Sequence, residues 1–359
     1  MRLTKAILSG LLAFAATLAG QTNQSIFPLQ PPVSSTVPSN GDVNPYGIVI
    51  IPKTISASSS GLQPGDVLVS NFNNNQNLQG VGRTIIRVDA AGNRSTFFTS
   101  AGAKTGLTAA LGVLTNGLVL IGNLPTLDGT AATVQPGTIQ VLDRFGDFLG
   151  TIGDPTTVDG PWGMAVQDLG NNGTGTAHVY VSNVLSGKVV RFDLNYTPFN
   201  IGATVTIIAA GFNHRTDPAA LVLGPSGLAY SASNDTLYVA SSEDNAIYAI
   251  PTASKTSVAV TQTLVFSDLT HLHGPLDLAI LPDGHFVVAN SDGSNADPNQ
   301  PSELVEFTAA GQFLNQMSID PNNGGAFGLA VLNVGWGTVR MAAVDDNQNT
   351  LNLWTVVVP

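Results

Sequence analysis

The chain has 359 residues, of which 13 are Lys or Arg and 24 Asp or Glu, for a formal net charge of −11 and a charged fraction of only 10%. An average globular protein carries about 25% charged residues, so this surface must be built largely from Asn, Ser, Thr, Gln and Gly. The shortage of basic groups excludes nucleic acid and anionic lipid surfaces as partners, and the lack of cysteine excludes disulfides and thiolate metal sites.

Residues 1–20 read as an export signal. Arg2 and Lys5 make a short basic start, Ala6 to Leu18 is an uncharged apolar run, and small residues precede the polar Gln21-Thr22-Asn23-Gln24. The run is shorter than the roughly 20 residues that span a bilayer. The expectation is an exported protein, periplasmic or extracellular, folded as one domain over residues 21–359 and not inserted in a membrane.

A short phrase then recurs along the chain. Pro45-Tyr46-Gly47-Ile48-Val49 returns as Pro161-Trp162-Gly163-Met164-Ala165 and Pro225-Ser226-Gly227-Leu228-Ala229. Looser copies are Leu111-Gly112-Val113, Pro275-Leu276-Asp277-Leu278-Ala279 and Phe327-Gly328-Leu329-Ala330. The marks Gly47, Gly112, Gly163, Gly227, Asp277 and Gly328 lie 65, 51, 64, 50 and 51 residues apart. A period of this size, with insertions, signals repeats that bury themselves against their neighbours.

Each mark opens a run of β-formers, and further runs follow it. In the third repeat these are residues 163–167, 179–183, 188–193 and 203–208, separated by turns rich in Gly, Asn and Ser. Second strands recur at 67–71, 118–123, 237–241 and 286–290, ending in Asn or Ser, with Val344 taken as the equivalent in the last repeat. Six such units arranged radially make an all-β, six-bladed propeller of four-stranded antiparallel blades. The last repeat lacks an outer strand, and the segment 25–37 has no blade of its own. That segment is therefore expected to complete the last blade and close the ring, removing an exposed sheet edge.

The unit Pro-x-Gly-Ile/Leu-Ala-Val, followed by Tyr-Val-Ser-Asn and a Phe/Val-Asp strand, resembles the NHL repeat over essentially the whole mature chain. The resemblance implies a propeller and leaves function open, because such propellers host binding proteins and unrelated enzymes. Gluconolactonase-like propellers hold one metal with a Glu, two Asn and an Asp, and no Glu here matches that position. Amidating-lyase propellers carry histidines in the phrase itself, where this chain has none.

Candidate functional residues follow from the phrase. The residues at the starts of the inner strands, Tyr46, Leu111, Trp162, Ser226, Leu276 and Phe327, are expected at the axial mouth. They form either an apolar funnel able to stack a sugar ring or an aromatic ligand, or an aromatic plug that fills the channel. Asp277 replaces the glycine of the other repeats and is the candidate ligand for a calcium ion, which takes carboxylate and amide oxygens. His271 and His273, two residues apart, form a possible pair for Zn or Cu, and their competing reading is a solvent-facing loop. The segment from Asp292 to Asn299 matches a calcium loop in composition only, since it lacks the spacing and terminal Glu of an EF-hand.

The primary expectation is an exported, monomeric, non-enzymatic propeller that binds a protein, glycan or small ligand through one face, at Tyr46, Trp162, Ser226, Asp277 and Phe327. The alternative is a calcium-dependent hydrolase or lactonase resembling the gluconolactonase-like propellers, with Asp277 as a ligand. Convergent carboxylates or imidazoles at the axis would separate the two.

Overall fold

The computed structural model describes residue 27 and residues 33–55, 60–102, 105–171, 173–197 and 200–358. The apolar start read as an export signal lies outside the described residues. Among the described residues the one helical element is a 3-10 turn, Ala131–Thr133. Everything else regular is strand, in six four-stranded antiparallel sheets and one two-stranded ribbon.

The third repeat shows how a sheet is made. Pro161–Asp168, Gly175–Asn183, Lys188–Thr197 and Asn200–Ala210 pair in chain order. Val179, Val181, Val190 and Phe192 alternate along the middle strands and are buried against Leu120, Ile139 and Val141 of the preceding sheet. Alternating residues point to opposite faces of a strand, so each sheet gives one face to the sheet before it and the other to the sheet after.

The innermost strands are Val43–Ile50, Leu107–Val113, Pro161–Asp168, Pro225–Ser231, Pro275–Ile280 and Ala326–Gly335. Each packs on the next, and the last packs on the first. This radial closure makes the protein a β-propeller.

The repeated phrase is where the ring meets itself. Pairing of every innermost strand with its neighbour shifts register there, at Pro45/Ile48, Leu107/Leu111, Pro161/Met164, Pro225/Leu228, Pro275/Asp277 and Ala326/Leu329. Such bulges bend a strand and re-aim a side chain. The marks also touch the next sheet. A Cβ on Gly163 would sit 2.1 Å from the Ser226 carbonyl oxygen, and one on Gly328 would sit 2.0 Å from that of Tyr46. Ser182 Oγ accepts from Gly163 N at 2.8 Å and donates to the Ser226 carbonyl at 2.6 Å, binding one sheet to the next.

Val33–Ser35 forms the outer strand of the last sheet, antiparallel to Thr350–Val357. The first described strand thus pairs with the last. The end of the second strand in this sheet differs from expectation. Asp345, not Val344, lies opposite Ala326, the place that Asn71, Asn183 and Asn290 hold opposite Pro45, Pro161 and Pro275. Without an Asn to mark it, the sequence register slips by one residue.

The ribbon of Arg215–Asp217 and Leu221–Leu223 was not expected either. Its strands are three residues each, too short to show a period. Leu221 and Val222 join the central apolar cluster with Tyr46, Trp162, Leu276 and Phe327, so the ribbon lies over the axis.

Candidate functional site: the axial cavity

The bulges turn Tyr46, Trp162 and Phe327 inward, and the converging strands bring their rings together. The Tyr46 ring lies 4.6 Å from Phe327 and 5.3 Å from Trp162, the latter edge-on at 78°. Phe72 completes the group at 4.9 Å from Tyr46 and 5.4 Å from Trp162. Tilted and edge-to-face contacts at this spacing are favourable beyond area burial. Trp162 is 1% exposed, Tyr46 5% and Phe327 8%, so these rings pack into a plug, and all three also line the axial cavity. Leu276 joins them, whereas Leu111 packs between the first two sheets.

A cavity of about 370 Å³ lies against this plug. Ala219, Ala220, Val222 and Leu223 of the ribbon region wall one side, and the Gln79 side-chain amide donates to the Ala219 carbonyl at 3.1 Å across the opening. The other walls are amides and acids: Asn44, Asn73, Asn77, Asp292, Asp346 and Asn347. Three of their buried oxygens, Asn44 Oδ1, Asn73 Oδ1 and Asp292 Oδ1, have no hydrogen-bond donor. Buried polar atoms are normally paired, so this cavity is deficient in donors and suits a ligand that brings hydroxyl groups or positive charge.

Burial sets the protonation of the cavity. It pushes the Asp346 carboxyl up to about 7, with the neighbouring Asp345 charge adding to the effect. Burial likewise raises Asp345 to about 6, aided by Asp320 and opposed by the backbone N–H of Gln348. Asp292 is raised by burial against the N–H groups of Gly324 and Ser302, which donate to its Oδ2 at 2.8 and 3.1 Å. The Tyr46 phenol is raised by burial and by the Asp346 charge, and so stays protonated.

Two expected site residues fall outside the cavity lining. Ser226 is fully buried, its hydroxyl within 2.8 Å of the Pro275 carbonyl and 3.1 Å of Ala240's. Asp277 accepts from Leu278 N at 2.9 Å and, across to the next sheet, from Leu329 N at 2.8 Å. Both carboxylate oxygens serve the ring, and burial raises this carboxyl to about 7. Asp277 does with a side chain what the glycines do by close approach.

The two histidines part company. His271 stacks on Phe313 at 3.8 Å and bonds Asp268 at 2.7 Å. His273 is 1% exposed and faces Glu303, its Nδ1 3.2 Å from Oε1, so it is not solvent-facing. Sequence reasoning missed Asp346 altogether. The signal was present in Asp345-Asp346, a pair of acids directly after a buried second strand.

No protein-family model matches the sequence, and no curated protein matches it either. Similarity appears in solved structures. A calcium-binding protein, regucalcin, from Agrobacterium tumefaciens superposes with a TM-score of 0.52 at 11% identity, over 91% of this chain and 96% of that one. A gluconolactonase from Xanthomonas campestris gives 0.51 at 13% identity, over 94% and 99%. At such identities the likeness is one of fold, and it agrees with the propeller seen here.

Proposed function

We propose that the protein is an exported, monomeric hydrolase that opens a small polyhydroxylated lactone or ester in the axial cavity, with Asp346 as general base. The observation that carries this reading is the Asp346 carboxyl itself. It lines the cavity, accepts no hydrogen bond from the described residues, and is raised to about 7. A base poised near neutral pH takes a proton from water most effectively. Asp346 removes one proton from a water molecule whose oxygen adds to the acyl carbon. The acyl–oxygen bond then breaks, and the proton passes to the departing alkoxide, so that water is added across the bond. The donor-poor amide walls accept hydrogen bonds from substrate hydroxyls and hold the ring in place.

The fold likeness to a gluconolactonase supports the reaction class, and the likeness to a calcium-binding protein raises the question of a cation. Oxygen donors of the kind calcium takes line the cavity, the side-chain amides of Asn44, Asn73 and Asn77 among them, and leave the Asp346 carboxylate to its role as base. A calcium ion held there would supply Lewis-acid polarisation of the substrate carbonyl. We read the ring as six blades in one domain. The ribbon is an insertion, because it covers the axis instead of standing between two innermost strands.

A second reading, binding of a glycan, small ligand or protein segment without turnover, is favoured by the amide-rich walls. A panel of aldonolactones assayed with and without Ca²⁺ separates the two. Hydrolysis should rise with pH through about 7, and Asp346→Asn should reduce kcat by roughly 10²–10⁴-fold with little change in KM. Saturable binding with no turnover of any lactone, with or without calcium, leaves the second reading in its place.

A further inference from the structure

We propose that the fifth sheet carries a separate site for a divalent transition-metal ion of the zinc or manganese class, held by His273, Asp292 and Glu303. It does not rest on the lactonase reading. One ligand atom from each of the three side chains lies within 4.8 Å of the others. His273 is 1% exposed and Glu303 fully buried, so the grouping is not a surface coincidence.

A plain buried His–Glu pair accounts poorly for these residues. Its Nδ1–Oε1 separation of 3.2 Å is at the long end of the hydrogen-bond range. The pair also leaves two buried oxygens without a partner, Asp292 Oδ1 and Asn290 Oδ1. Asn290 is fully buried, and its Nδ2 lies 3.2 Å from Glu303 Oε2, which places the amide at the cluster. The main charges acting on His273 are Glu303, Asp292 and Asp297, with no Lys or Arg among them. The fully buried Glu303 and the half-buried Asp292 have a single imidazole for compensation, and buried charge is normally paired or bound to a metal.

The carboxylates are already oriented as ligands of a metal usually are. Gly324 N and Ser302 N occupy Asp292 Oδ2 and leave Oδ1 free. Asn290 holds Glu303 Oε2 while Oε1 faces the imidazole. The Asp292 N–H donates to the His273 carbonyl at 2.7 Å, which locks the two ligand-bearing loops together. Mixed imidazole and carboxylate donors select zinc or manganese over calcium, which takes oxygen alone. Because Asp292 also lines the axial cavity, an ion here would stiffen the cavity wall from behind.

The test uses untagged full-length protein stripped with chelator and titrated with Zn²⁺, with Co²⁺ as a spectroscopic probe. One equivalent of zinc per chain, a higher Tm on loading, and visible Co²⁺ absorption typical of nitrogen–oxygen coordination are expected. His273→Gln and Asp292→Asn should each weaken zinc binding at least about tenfold, while Asp346→Asn should leave it unchanged. Asp292 lies at the partly exposed rim, so its variant keeps the test open if the buried histidine variant fails to fold. The proposal is overturned by stripped wild type that takes up no zinc or manganese, by a Co²⁺ spectrum of the aquo ion alone, or by zinc binding that depends on Asp346 instead of His273 and Asp292.

Discussion

A carboxylate can hold a fold together and yet be uncomfortable there, and Asp277 is such a residue. Two backbone N–H groups favour its charged form, but burial outweighs them and raises the group to about 7. The sign follows from linkage. Between pH 4 and pH 7 the unfolded chain loses this proton while the native state keeps it, so stability falls as pH rises. Asp345 at about 6 and Asp346 at about 7 act in the same direction. The carboxylates held low by their partners, such as Asp193 beside Arg191 and Asp268 beside His271, change stability only below the ordinary carboxylate range. Tm is therefore expected to be higher at pH 5 than at pH 8, with a shallower slope in Asp277→Asn. A Tm that climbs from pH 5 to pH 8 would contradict this account. At the same scale, Asp346 matters because it is a half-buried acid whose carboxylate has no hydrogen-bond donor among the described residues, whereas Asp277 has two.

At the scale of the strand, the Pro-x-Gly phrase performs two tasks at once. The bulge turns the middle residue toward the axis, and the glycine lets the backbone approach the next sheet. An alanine at position 163 would place its Cβ 2.1 Å from a carbonyl oxygen, so the strands must separate. Gly163→Ala should cost about 1–3 kcal/mol, the usual range for overpacking. Gly202, whose nearest neighbour would be 3.8 Å away, is the control and should tolerate alanine. Equal losses at both positions in denaturant unfolding would show that the close approach is not what the glycine serves. The outer strand Val33–Ser35 raises a different question, since it contributes few contacts but covers the edge of the last sheet. Thr36 N donates to the Asn349 carbonyl at 2.9 Å, and the Asn71 side chain donates to the Thr36 carbonyl at 3.1 Å. Removing the chain through Val37 should lower Tm sharply, because it exposes the outer edge of the last sheet at Thr350, Leu351 and Asn352 and removes the bonds of Thr36 to Asn349 and Asn71. An unchanged melt would mean that closure rests on the innermost strands alone.

For the molecule as a whole, a periodic phrase in the chain becomes a circle in space. The fold was legible because each repeat is a local unit whose strands pair in chain order, so that turns, β-branched runs and the mark could be read one repeat at a time. Tyr46, Trp162 and Phe327 were legible as axial residues for the same reason: they occupy one position of a recurring motif, and a repeat architecture brings equivalent positions together. What broke the period was harder to read. The ribbon over the axis is an insertion with strands too short to show alternation, and Asp345 entered where an Asn would have marked the register. The remaining functional candidates were legible only as isolated letters. Asp346 follows one second strand, Asn44 and Asn73 belong to the first repeat, and Asp292, His273 and Glu303 belong to the fifth. The sequence alone determined an all-β repeat protein with small residues where its sheets meet, because those constraints act within one repeat or between neighbours. Which acids are buried, which oxygens lack a donor and which side chains share a cavity were decided by the tertiary structure. These properties depend on residues far apart in the chain, brought together within one sheet, between neighbouring sheets or across the axis, and only the folded ring puts them within reach of one another.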